Sequence, residues 1–448
     1  MPTPSAAAAG LRSTRPHSPG SRARWFGAFL VVWAMSAAVC LRLVTTPGYE
    51  GDVAHYKYWT RVVATQGIQS IYAGVYPETY AIYPPVTLYV YGVIGKVYEQ
   101  GAFNPWNTER MLASAGFSTL IKGVAVGFLL LLGIVLFALL TALHGPKWGT
   151  LGSAAFLLNP AVIFDSAYWG QPDSAHSMWG VLAFGLLALG RWQGSWIAAG
   201  LGAMTKPQLW ALMPLFLLVQ TRDRSRPRLA AGMLLALVTV TVVVSPFAVH
   251  GRLADFLTLP SQIAGVMPVA SANAHNLWWI VSGNPGGFHL DSETVLGPLT
   301  YRQVALPLVL AVAVYTLWLA WRRPTISVFL LAAYQAFGWF MFTTQAHENH
   351  PFMVLPLLVM AAPLASIARV LFAIVSVTLL ANMALHDPFI IDRTSELVSE
   401  SIRFRLQILN SWINLATFAV WTWALAARGN WVGWLDDLPD RNNEPGVI

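Results

Sequence analysis

Apolar stretches of helix length recur along almost the whole chain, and this recurrence limits the fold more than any other feature. Candidate spans fall at 25–45, 112–143, 148–167, 174–190, 194–205, 207–220, 228–249, 302–321, 325–343, 350–366, 367–385 and 406–427. A soluble body cannot cover so many apolar segments. Asp, Glu, Lys and Arg make up only 10% of the 448 residues, where soluble domains carry about 25%. The runs are too long, and alternate too little, for a transmembrane barrel. The pattern predicts an all-α polytopic membrane protein. Its single cysteine, Cys40, excludes an intrachain disulfide framework and a cysteine-built zinc site. A net charge of +7 first suggests nucleic acid, but the basic residues sit in short loops between apolar runs and read as topology.

Residues 1–24 are rich in Ala, Ser and Pro and carry Arg12, Arg15, Arg22 and Arg24, the composition of a disordered basic tail. Residues 428–448 read as a second tail, with a transmembrane domain over 25–427 between them. The run from Trp25 to Thr45 is too long for a signal-peptide core and reads as a retained first helix. Lys206-Pro207 joins two short apolar runs, which predicts a broken or re-entrant pair. The stretches 46–111 and 250–301 hold no span, and the first has a modest helix after Pro85. Positive-inside bias assigns Lys147, Arg191, the cluster Arg222–Arg228, Arg322-Arg323 and Arg369 to the cytoplasm. Both termini then lie inside. The segments 46–111, Trp169–Asp173, Lys206-Pro207-Gln208, 250–301, His347–His350 and 386–405 lie outside. The polar clusters without an obvious structural reason thus collect on one face. No internal repeat is found, which argues against a transporter built from two homologous halves.

Asp52 follows the first span, with Glu50 before it and Tyr56 and Trp59 after it. A carboxylate at the mouth of a membrane-level cavity can take a proton from a sugar or lipid hydroxyl. It can equally cap the following helix, the aromatics forming an interfacial belt. Tyr83-Pro84-Pro85 marks a helix start. Asn159-Pro160, Asp165 and Trp169-Gly170-Gln171-Pro172-Asp173 surround a helix–loop–helix junction. There Trp169 can stack on a sugar and Gln171 can bond its hydroxyls, or Asp173 can simply cap the next helix. His176, one turn beyond Asp173, gives a metal only two ligands where three are wanted. Lys206 lies among about 25 otherwise apolar residues, where a charge costs roughly 2.5–3.5 kcal/mol to insert. It faces a cavity that can hold a phosphate, or it snorkels from a loop. In Gln345-Ala346-His347-Glu348-Asn349-His350-Pro351 the histidines are three apart, which does not fit the four-residue spacing of a metalloprotease helix. His347, oriented by Glu348, reads as a cationic or hydrogen-bonding group, against a plain polar turn.

Taken in order, five segments resemble the GT-C superfamily of integral-membrane glycosyltransferases. They are Gly51-Asp52 with Tyr56 and Trp59; Tyr83-Pro84-Pro85; Asn159-Pro160 through Asp173; Lys206-Pro207-Gln208; and His347-Glu348. The likeness is to the bacterial mannosyltransferase-like group related to glycosylphosphatidylinositol mannosyltransferases, and it extends to the enzymes that use dolichyl-phosphate glucose. It covers residues 25 to 360, and the last spans add nothing to it. The resemblance implies a bundle of about 12–13 transmembrane helices with a long first extracytoplasmic loop. It implies transfer of mannose or glucose from a polyprenyl-phosphate donor to a lipid-linked or glycan acceptor hydroxyl, with inversion. The catalytic base falls on Asp52, with Glu50 as the alternative. Lys206 and His347 would approach the donor phosphate. Relatives usually carry a lysine or arginine after His-Glu; here Asn349-His350 stands there, so His350, or Arg302 with Lys206, supplies the cation. The sugar and acceptor pocket falls on Tyr56, Trp59, Tyr83, Trp169, Gln171, Asp173, Gln208 and Glu348. No cofactor and no metal site are implied, and metal dependence stays open. The partners implied are donor, acceptor and membrane lipids but no nucleic acid, at a bacterial cytoplasmic membrane with the site on its outer face. A transporter or flippase of lipid-linked sugars competes with this reading, since it too can use an outward cavity with a buried lysine.

Overall fold

The computed structural model of the protein describes residues 19–74, 81–222, 226–283 and 289–427. Most of the basic tail, the whole of 428–448 and the centre of the Arg222–Arg228 cluster lie outside the described residues. The regular elements of the described residues are helical apart from one small hairpin, in which Thr294–Leu296 pairs antiparallel with Leu299–Thr300. Five helices are long and apolar enough to cross a membrane: Gly20–Leu43, Ala115–His144, Arg226–Val249, Tyr301–Arg322 and Ser366–Ala384. Pro146–Leu157 and Pro160–Trp169 form a sixth if the pair, bent by 56°, is counted as one. The bend has a local cause. The Asn159 side chain accepts the Ala161 N–H at 2.9 Å and Pro160 occupies the first helical position, so a new helix starts at an angle to the old one.

Several expected spans are instead short helices, including Asp173–Ala188, Trp192–Ala203, Val328–Phe342 and Val354–Ala361. Prolines interrupt the apolar pattern at Pro207 and Pro351, where each missing N–H stops the helical ladder. The final helix, Glu400–Ala426, is long, but its first turns carry Glu400, Arg403 and Arg405. On Arg226–Val249, Met233, Leu234, Leu237, Val238 and Val242 are 51–66% exposed. Such an apolar surface would drive association in water and matches lipid. Several long apolar helices of this kind mark a membrane protein.

Ala115–His144 is the centre of the bundle and packs against Pro19–Leu43, Pro146–Leu157 and Asp173–Ala188. The approach is close. A Cβ added at Gly149 would lie 2.9 Å from the Phe137 carbonyl oxygen, so a larger residue there would push the two helices apart. Glu50–Gln66 and Pro85–Gly101 pair with each other and share a second core that includes Tyr56, Trp59, Tyr91, Phe117 and Phe247. Pro85 opens its helix where the chain breaks at 204–206. Val86 N–H donates to the Met204 carbonyl at 2.8 Å and the Thr87 hydroxyl to the Thr205 carbonyl at 3.3 Å. Two helix ends thus satisfy each other's orphan groups and bring Tyr83 beside Lys206.

The basic-loop pattern gives a testable topology. Ser292 and Lys147 are exposed, whereas Cys40 is fully buried. A cysteine at Ser292 should react with an impermeant maleimide on intact cells, and one at Lys147 only after permeabilisation. The reverse pattern would invert the assignment of faces.

Candidate functional site

A cavity of about 410 Å³ opens where the Pro85 turn, the 204–208 break and the 343–350 loop meet. Asp52 comes to it from the first turn of Glu50–Gln66. That helix is held in place at its start. Tyr49 donates its N–H to the Trp169 carbonyl at 3.1 Å and stacks on the Trp169 ring at 4.6 Å between centroids. The Asp165 carbonyl accepts from both Gly170 and Gln171 at 3.0 Å, which turns the chain out of its widened helical turn. Gly170 makes this possible: its φ is +98°, and a Cβ would meet the Lys122 side chain at 2.8 Å.

Asp52 is half-buried. Its Oδ2 accepts from Gln171 Nε2 at 2.6 Å and from Trp169 Nε1 at 3.2 Å. Burial raises its pKa above the ordinary carboxylate value, against the opposing pull of the Trp169 and Gln171 hydrogen bonds and of His55 and Lys206. A half-desolvated carboxylate with a raised pKa and a fixed orientation suits proton acceptance. Gln171 is itself pinned, since its Oε1 accepts from the Tyr56 hydroxyl at 2.8 Å and the Tyr83 hydroxyl at 3.2 Å. Trp59 stands edge-on to both tyrosine rings and completes an aromatic wall behind them.

The opposite wall is cationic but paired. Lys206 is buried, forms an ion pair with Asp173, and lies 5.1 Å from the centre of the Tyr83 ring. The other Asp173 oxygen accepts from Asn349 Nδ2. Arg302 reaches the cavity from Tyr301–Arg322 and grips Asp291 with Nε at 3.0 Å and Nη2 at 2.8 Å. Gln345 Nε2 also donates to Asp291 at 2.7 Å. His347 and His350 line the cavity with their rings 5.1 Å apart. Burial first, and then Lys206, hold His347 down to about 4, so its ring is neutral at pH 7. Gln208 also lines the cavity, and its buried Oε1 has no hydrogen-bond partner. Pro207, Pro260, Ile263, Ala264 and Met267 form an apolar flank.

Asp52, Tyr83, Gln171, Lys206, Gln208, Arg302, His347 and His350 therefore share one cavity. Other expected residues stand behind its wall or elsewhere. Trp169, expected to stack on a sugar, is fully buried against Tyr49 and serves instead to hold Asp52. Gln171 spends its amide on Asp52 and the tyrosines, so it orients the carboxylate. Asp173 faces Lys206 and Asn349, and His176 lies beside it with 3.6 Å between Nδ1 and the carboxylate. Glu50 is exposed and lines a different cavity, on another face of the same helix, together with Thr46 and Lys57. Among the described residues no three His, Cys, Asp or Glu side chains converge to hold a metal ion. Three contributors went unread in the sequence: Asp291, Gln345 and Asn349 as a hydrogen-bonding rather than charged group. The isolated Asp291 ahead of Arg302 was the available signal for the first.

Glu348, expected in the sugar and acceptor pocket, is a buried residue of the 343–350 loop and does not line the cavity. Burial, then the charges of Asp52 and Asp173, push its pKa up to about 8. A carboxyl whose pKa is raised on folding favours the native state below its unfolded value, and that contribution is lost as pH climbs through the folded value. Relative to Glu348→Gln, which fixes the neutral form, the wild-type melting temperature should therefore fall between pH 5 and 8. Buried His347, with its lowered pKa, raises both curves alike over the lower part of that range. Parallel curves for the two proteins would contradict the assignment.

No protein-family model matches the chain, and no curated protein matches it either.

Proposed function

We propose that this chain is an integral-membrane glycosyltransferase of the GT-C kind. It moves mannose or glucose from a polyprenyl phosphate to the hydroxyl of a lipid-linked or glycan acceptor on the outer face of the membrane. The observation that carries the reading is one cavity that holds an oriented carboxylate, Asp52, the cations Lys206 and Arg302, and an apolar flank from 260–267. In a single displacement the acceptor oxygen bonds the anomeric carbon as its proton passes to Asp52. The bond from that carbon to the phosphate oxygen breaks on the far side, and polyprenyl phosphate leaves with its charge near Arg302 and Lys206. Phosphate is a good enough leaving group that no general acid is required. The apolar flank suits the first isoprene units of the donor. With the bent pair and the two shorter apolar helices, Val328–Phe342 and His350–Ala361, taken as crossings, the described residues offer eight candidate spans, fewer than the GT-C resemblance implies.

Mass spectrometry of lipids and glycans from cells with and without the protein tests this reading. A product shortened by one hexose in the deficient cells supports it. Accumulation of an intact lipid-linked sugar with no truncated product would favour a flippase instead.

A further inference from the structure

Ser366–Ala384 and Glu400–Ala426 bury a polar cluster that the proposed chemistry does not use. Asn382, Asn410, Asn414 and His275 are each at most 5% exposed. Buried amides in an apolar bundle are costly unless bonded, and these converge on one residue. His275 N–H donates to Asn382 Oδ1 at 2.9 Å, and its carbonyl accepts from Asn414 Nδ2 at 2.9 Å. Its Nδ1 lies 2.8 Å from Asn410 Nδ2 and its Nε2 3.1 Å from His386 Nε2. The protonation pattern follows from geometry. Asn410 Nδ2 also meets the Thr378 carbonyl at 2.9 Å, which fixes that atom as the amide donor. His275 Nδ1 is therefore an acceptor, and its Nε2–H donates to His386.

The segment so gripped runs directly along the cavity wall. Gln345 N–H donates to the Val269 carbonyl at 2.9 Å, and Ala272 N–H donates to the Ala346 carbonyl at 2.9 Å. Asn273 and Gln345 both have φ of +61°, a conformation that asparagine tolerates but that glutamine keeps only when its surroundings hold it.

We propose that His275 is a positioning residue: by anchoring 269–276 to the last two long helices, it sets the Gln345–His350 wall of the cavity. The kinetic part of this proposal rests on the glycosyl-transfer reading; the structural part does not. The wall it sets reaches Arg302 through Gln345 and Asp291, and Lys206 through Asn349 and Asp173. Asp52 is held by other elements. Loosening the wall should thus weaken donor anchoring and spare proton removal.

The test uses full-length protein in lipid nanodiscs. In His275→Ala, hydrogen exchange over 343–350 should rise about tenfold. The KM for a polyprenyl-phosphate sugar should rise about tenfold while kcat stays within about threefold. His275→Gln can still present an amide N–H towards His386 and should restore most of both. A merely structural role would lower kcat through lost active protein and leave KM unchanged. Unchanged exchange over 343–350 in the folded alanine variant overturns the proposal, as does a fall in kcat at constant KM. If His275→Ala does not fold, His386→Phe removes the acceptor of the same bond and is read in the same way. Absence of transfer by the wild-type protein would defeat the glycosyl-transfer reading alone, and the exchange data would still decide whether His275 sets the wall.

Discussion

Asp52→Asn is expected to lower turnover by about 10²–10⁴, the usual contribution of a general base, while donor binding survives. The substitution is nearly isosteric, and its oxygen can still accept from Gln171 Nε2, so the orientation seen at 2.6 Å is kept. What is lost is the capacity to hold the acceptor's proton. A helix-capping role would give a different result, because asparagine caps about as well as aspartate. The structure already speaks against capping. The residue flanking the helix is Tyr49, no side chain caps the helix start, and the Asp52 carboxylate is engaged by Gln171 and Trp169. Glu50→Gln should change little, since Glu50 lines a different cavity. Near-normal turnover in Asp52→Asn with loss in Glu50→Gln would move the base to Glu50, and near-normal turnover in both would end the mechanism.

Lys206→Ala is expected to destabilise the protein by about 3–5 kcal/mol, the cost of leaving a buried charge without its partner. Asp173 is 1% exposed and pairs with the Lys206 ammonium, Asn349 donating to its other oxygen and the His176 ring lying 3.6 Å away. Combining Lys206→Met with Asp173→Asn removes both charges and should recover most of that loss, because a neutral replacement of a buried pair is often close to neutral in energy. Denaturant titration of the purified single and double variants reads the difference. A single alanine variant as stable as wild type would mean that the ammonium is free to serve a ligand's phosphate without cost.

The long spans are legible in the sequence because each carries its own signal. Ala115–His144 is apolar over most of its length, Lys122 being the charged exception, and begins after a serine cap, with Ser114 accepting the Phe117 N–H. Tyr83-Pro84-Pro85 is legible for the same reason, since proline dictates a first turn wherever it stands. The chain break at Lys206-Pro207 follows from the missing N–H of Pro207. What each polar residue touches is another matter. Asp173 and Lys206 are 33 residues apart and meet only because two interrupted helices end side by side. Periodicity says nothing about such a contact, so Lys206 reads as a lone charge and Asp173 as a cap. Arg302 likewise reads as a free cation, although Asp291 holds it across an irregular loop. The anchoring of 269–276 is the least legible part. Asn382, Asn410 and Asn414 look like ordinary breaks in apolar helices until His275, more than a hundred residues before the first of them, is placed among them.

The central claim is chemical transfer of a sugar, and the most direct measurement is made with the purified protein alone. It is reconstituted in liposomes with a short-chain polyprenyl phosphate carrying labelled mannose or glucose, together with a lipid extract that supplies acceptor. The account predicts that label leaves the donor and appears in a larger product, with free polyprenyl phosphate released in equal amount. It predicts further that Asp52→Asn slows this transfer by about 10²–10⁴ without abolishing donor binding. Donor that crosses the bilayer intact, with no released polyprenyl phosphate from either sugar, would contradict the account and make the cavity a transport site.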